Sequence, residues 1–256
     1  MARLSEYRRI EWLLARRPDH LYAIAYTGGL SILTAFALPH MPSVIPRFFQ
    51  RTLQLGTWAD IALFNLYAAT YVITLLVGTL DLLRVWILPV EEGYMSLYMS
   101  KPIRPSEYLR ARLSPILANA VFIGLASQAA AGLAVWHLIG PFDRAQFIHS
   151  SGLIIGLILF LLCLFNYLFL YLKESYYAVV ISLAVWTLTL GPTSLYVYRP
   201  ELFSPAGRAA LVFPANLLWH QSTVLAHEGI LLTCLLSGSV LFLGLARLKL
   251  GRAPLG

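Results

Sequence analysis

Long apolar runs separated by short clusters of proline, glycine and charge dominate this chain. They cover about 21–38, 60–80, 113–138, 151–172, 176–198 and 229–248. An α-helix needs ~20 largely apolar residues to cross a hydrocarbon core of ~30 Å, and each run is close to that length or longer. The pattern predicts an all-α polytopic membrane protein, a single transmembrane domain over residues 1–256 with six transmembrane helices.

The connectors sharpen this outline. Residues 3–17 place Leu4, Tyr7, Ile10, Leu13 and Leu14 on one helical stripe and Arg3, Arg8, Arg9, Arg16 and Arg17 elsewhere. That is an amphipathic interface helix, suited to lying in the lipid headgroups. The second span is expected to run on to Leu88, where Pro89 stops it. Asp81 and Arg84, three residues apart at its exit, share a helix face. Pro115 is expected in the first turn of the third span. The short turn Lys173-Glu174-Ser175 predicts that the fourth and fifth spans are antiparallel neighbours. Gly191-Pro192 predicts a kink in the fifth. Residues 199–228 carry apolar side chains but are divided by Pro205 and Pro214. A re-entrant extracytoplasmic segment fits them better than a crossing.

Composition agrees with a lipid solvent: 59% of residues are hydrophobic and only 12% charged, about half the charged share of a soluble domain. The net charge of +7 raises nucleic acid as a partner, but the basic residues sit at the ends of apolar runs. No nucleic-acid surface is expected; lipids are the natural partner. Of the 19 Lys and Arg residues, 14 fall on the side that holds both termini in an even-span topology. By the positive-inside rule both termini are cytoplasmic, in a plasma (inner) membrane. Cys163 and Cys234 lie inside apolar runs and read as small hydrophobes rather than as a disulfide or metal pair.

The segment over 90–112, VEEGYMSLYMSKPIRPSEYLRAR, is the most informative stretch. It joins the second and third spans on the cytoplasmic side. Glu91 and Glu92 suit a helix N-terminus, where negative charge is favoured. Tyr94, Leu97, Tyr98 and Lys101 recur at helical spacing, and Pro102 ends the helix. Pro105 then starts a second helix, with Ser106 and Glu107 in its first turn. The aromatic-apolar surface so formed suits either docking to another protein or lying flat on headgroups.

The order Glu-x-Gly, Leu97, Lys101-Pro102-Ile103, Ser106-Glu107-Tyr108-Leu109 and Arg112 closely resembles the cytoplasmic loop of type-2 ABC exporter permeases. The amphipathic amino-terminal helix, six spans and proline-broken outer segment resemble that family's layout. The resemblance implies that 90–112 holds a cytoplasmic coupling helix that seats in an ATPase. Glu91, Glu92, Gly93, Tyr94, Leu97, Tyr98, Lys101 and Pro102 would be the coupling residues. Arg104-Pro105 departs from the family pattern, where a small polar residue is expected. The chain would then be the permease subunit of an ABC exporter, not itself an enzyme. Its partners would be two ABC ATPase subunits and a second permease, identical or homologous. The sequence has no G-x-x-x-x-G-K-[ST] phosphate loop, so no cofactor is expected in this chain; ATP and Mg belong to the ATPase.

No catalytic, cofactor-binding or metal-binding residue is expected. His220 and His227 are seven apart beside Glu228; they motivate an alternative, a membrane-embedded enzyme or metal-handling protein using extracytoplasmic histidines. A metal site needs three or four converging ligands, and no such motif occurs. Asn65, Thr70, Thr74, Asn119, Gln128 and Asn166 interrupt the spans and are expected mainly to join helices by hydrogen bonds. Few ionisable residues fall within the spans, which argues against an ion-coupled carrier.

Overall fold

The computed structural model describes residues 12, 17–42, 44, 47, 57–93, 105–202 and 225–252. Among them every regular element is helical. Helix α1, Pro18–Ala37, starts on a proline, whose missing N–H costs nothing there. It ends in a 3₁₀ turn, Leu38–His40. Helix α2 is the continuous run Trp58–Glu91. Its start is a capping box: Asp60 N–H donates to Thr57 Oγ1 and Thr57 N–H to the Asp60 carboxylate. Helices α3, α4, α5 and α6 are Pro105–Leu138, Arg144–Phe169, Ser175–Tyr198 and Leu225–Arg252. Asp143 caps α4 by accepting from Ala145 N–H and Gln146 N–H, which starts that helix ahead of the expected residue 151.

Among the described residues, five helical runs are long and apolar enough to cross a membrane: Pro18–His40, Trp58–Glu91, Glu107–Leu138, Arg144–Phe169 and Leu232–Leu250. The fifth helix in chain order, α5, is apolar over Ser175–Thr189 and continues helical through Gly191-Pro192. At 34 residues, α2 is about 51 Å long and must project beyond the hydrocarbon layer.

Three sequence expectations change. Pro89 does not stop α2, which reaches Glu91 through a π-helical turn, Leu83–Ile87. Pro115 is not in a first turn: the helix begun at Pro105 merges with the third span and carries Pro115 in its interior. A spanning helix tolerates this because neighbouring groups can satisfy the freed carbonyl. Lastly, α5 does not follow α4 back through the bundle. It packs most extensively on the α2 π turn, and Tyr71 OH donates to Thr189 Oγ1 at 3.2 Å higher up. A tight turn fixes where α5 begins, not which face it lies on. The interface helix over 3–17 lies outside the described residues except Trp12 and Arg17; the re-entrant segment is described only over 199–202 and over 225–228, where it already belongs to α6.

The core forms where α2 packs on α3 and α4, with α1 against α2 and α3, and α6 against α4. Lipid tails are as apolar as leucine, so close fit rather than the hydrophobic effect holds such helices together. The α4–α6 seam shows how. Gly156 receives the Leu232 side chain and Gly238 receives the Phe160 ring, so closely that an added Cβ would lie 2.7 and 2.6 Å from them. Between α1 and α3, Thr27 and Ser127 hydroxyls bond at 2.7 Å. The outward faces of α1, α5 and α6 expose Leu21, Ile32, Leu33, Leu183, Leu188 and Val240, as a lipid-facing surface requires.

Gly238→Ala should therefore destabilise the fold by about 1–3 kcal/mol, because the Phe160 ring cannot yield without disturbing Phe242. Gly29→Ala, where nothing lies within 4 Å, should leave it unchanged or slightly raise it. Thermal midpoints in detergent compare the two.

Candidate functional site

The end of α2 is where polar contacts converge. Proline at position 89 has no N–H, so the carbonyl of Val85, four residues earlier, cannot receive the usual helix bond. The helix widens there: Leu88 N–H reaches back to Leu83 O, a five-residue step. Arg112 of α3 then donates from Nη1 to Val85 O at 3.3 Å. Its guanidinium also lies 5.2 Å from the Tyr108 ring centroid, and Tyr108 meets Trp86 edge-on. Arg112 is buried, so the α2–α3 junction is held by a charged donor on the carbonyl that Pro89 cannot serve.

One turn higher, α2 is tied to α1. Asp81 is only 8% exposed and accepts from His20 Nε2 at 2.8 Å. A carboxylate can only accept, so Nε2 carries the ring proton in this contact. Arg84 donates from Nη1 to Asp19 at 3.1 Å and lies 3.9 Å from Asp81. The local Asp81–Arg84 pair expected from spacing is thus the weakest link in a four-residue network. The buried His20–Asp81 pair was not legible: 61 residues separate the two. The available signal was a lone aspartate after a long apolar run. The buried Asp81 removes part of the sequence argument against ion coupling, which assumed that the spans held almost no buried charge.

Of the expected coupling residues, Glu91, Glu92 and Gly93 are described; Tyr94, Leu97, Tyr98, Lys101 and Pro102 lie outside the described residues. Glu91 and Glu92 do not start a helix. Glu91 is the last residue of α2 and Glu92 its C-cap, with Glu92 N–H bonded to Leu88 O. Gly93 takes φ of +75°, the left-handed conformation that commonly closes a helix. The Glu91 carboxylate instead reaches the start of α5, accepting the backbone N–H of Ser175. Glu174, the N-cap of α5, supplies no side-chain cap of its own. On the same end of the bundle, Lys249 of α6 lies 4.2 Å over the Tyr171 ring.

The opposite end is less informative. Asp60, Tyr67, Asp143, Gln146 and Ser150 border a cavity of about 20 Å³, room for one water. His40 and His149 bond carbonyls of their own helices. No group of three metal-ligating side chains occurs among the described residues; His220 is outside them, and His227 lies in the first turn of α6. Within the spans, Gln128 accepts from Ser151, joining α3 to α4, while Asn65 bonds its own helix at Ile61 O. Thr74 Oγ1 and both amide atoms of Asn166 are buried without a hydrogen-bond partner among the described residues.

By length and composition these helices define a multi-pass membrane protein. No family model and no curated protein matches the chain.

The His20–Asp81 contact should show strong coupling. Asp81→Ala should cost about 3 kcal/mol, because it strands a buried partner, and His20→Ala should then add little in the double variant. Chemical or thermal unfolding of the two single variants and the double in detergent measures this. Equal, additive losses would mean that the two side chains act independently.

Proposed function

We propose that the chain is the membrane-spanning permease subunit of an ABC exporter. Two permeases, identical or homologous, would form the path, and two separate ATPase subunits would bind ATP and Mg. Six helices cross the inner membrane in this reading, with both termini in the cytoplasm and 90–112 facing the ATPase.

The observation that carries the reading is how the 90–112 segment is rooted. Its amino-terminal side leaves α2 beyond the π turn, and its carboxyl-terminal side enters α3 without a break from Pro105. Arg112 locks the two roots together through Val85 O. A loop that only lay on headgroups would need no such bracing. A segment that must deliver force to two spanning helices does. The loop's resemblance to the type-2 permease motif supplies the partner. Arg84, Arg112 and Lys249 gather at this same end, which agrees with a cytoplasmic assignment by the positive-inside rule.

The test is recruitment. Docked helices concentrate binding energy in a few aromatic and apolar anchors, each worth about 2 kcal/mol or more. The Leu97→Asp/Tyr94→Ala double variant should abolish co-purification of the cassette ATPase while the membrane domain stays folded. Unchanged recruitment and ATP hydrolysis would overturn the coupling assignment.

Topology is checked independently. Cysteines at Arg104 and Arg252 should react with a membrane-impermeant thiol reagent only from the cytoplasm, and one at Pro141 only from outside. Reaction of the Arg104 and Pro141 positions from the same side would sink the six-span arrangement.

A further inference from the structure

We propose that Glu91 is a positioning residue that ties α5 to the end of α2, so that displacement of the segment after Gly93 reaches α5 directly. This rests on the coupling reading above, and it removes Glu91 from the surface that meets the ATPase.

The placement of Glu91 is the first argument. A carboxylate in the last turn of a helix faces the negative end of that helix's dipole, an unfavourable position for its own helix. The same carboxylate accepts the Ser175 N–H at the first residue of α5, where a negative charge is favoured and an N–H would otherwise lack an intrahelical partner. The local disadvantage in α2 is offset by this contact across the α2–α5 junction.

The second argument is how α5 is held. Beyond its continuation into the short turn Pro200–Leu202, the element it packs on most is the π turn of α2. Tyr71 adds a hydroxyl bond to Thr189, and Ala178 is fully buried near the base. Tyr176, Tyr177, Leu183 and Leu188 face outward. The attachments of α5 therefore lie along α2 at three levels: Glu91, the π turn and Tyr71. Its outer face meets fluid lipid, which resists movement little. A shift of the α2 end is thus carried to α5, and the Glu91 bond lies nearest the point of application.

The chemistry allows a clean test in the full chain. Ser175→Pro removes the one N–H that Glu91 accepts, at a first-turn position where proline is well tolerated. The preceding Glu174, at φ −128° and ψ 138°, already has the extended backbone that a following proline requires. Glu91→Ala removes the acceptor, and Glu91→Gln keeps a neutral one. Spin labels at Leu33 of α1 and Leu188 of α5, both exposed, report the α1–α5 distance in nanodiscs, with Cys234 replaced by alanine. Glu91→Ala and Ser175→Pro should each broaden and shift that distance distribution. The double variant should go no further, and Glu91→Gln should stay close to the parent. ATPase co-purification should be unchanged in all four, while the ATP-driven change in the distance is lost in the first three. Unaltered distributions in both Glu91→Ala and Ser175→Pro would overturn the tie. Loss of ATPase from Glu91→Ala but not from Ser175→Pro would return Glu91 to the ATPase surface. If the parent chain recruits no ATPase, the exporter reading falls, and the label distances still decide the tie.

Discussion

The missing N–H of Pro89 is the constraint on which the rest of this end of the molecule depends. Without it the regular bond to Val85 O cannot form, and in lipid-facing protein an unsatisfied carbonyl is expensive. The chain answers with a wider turn and with Arg112 from α3. The widening keeps α2 helical as far as Glu91, which in turn brings that carboxylate to the head of α5. One backbone defect thus sets the α2–α3 junction and the position of α5 together.

The charged groups follow the same logic. Burying a lone Asp81 would be costly; burying it against His20, with Arg84 and Asp19 beside it, satisfies both the charge and the donors. Polar contacts therefore cluster where α1, α2, α3 and α5 meet at one end. The middle of the bundle relies mostly on close fit at glycines such as Gly78, which receives Leu162, and Gly238. The two mechanisms divide the labour: shape fit holds the helices side by side, and the polar junction sets the register of their ends.

This division bears on function. In the proposed permease reading, a subunit driven from one side needs a stiff end that receives displacement and a body whose helices can shift relative to one another. The polar junction supplies the first. The sparsely held α5, with apolar side chains facing outward, is suited to the second. Asn166 and Thr74, buried with polar atoms that have no hydrogen-bond partner among the described residues, are groups that would gain partners if the helices parted and admitted water.

Sequence by itself determined the helical class and the approximate position of the five helices long and apolar enough to cross a membrane, because those follow from apolar length. It also singled out 90–112, since aromatic anchors beside paired glutamates have no use in a plain solvated loop. It misjudged Pro89, because the rule that proline ends a helix assumes that no neighbour serves the freed carbonyl, and here Arg112 does so; it misplaced Pro115 because the helix begun at Pro105 runs unbroken into the third span. Only tertiary structure could pair His20 with Asp81, set Glu91 on Ser175, or place α5 against α2 rather than α4. Each of those joins residues far apart in the chain, and side-chain periodicity shows which face is apolar but not which neighbour covers it.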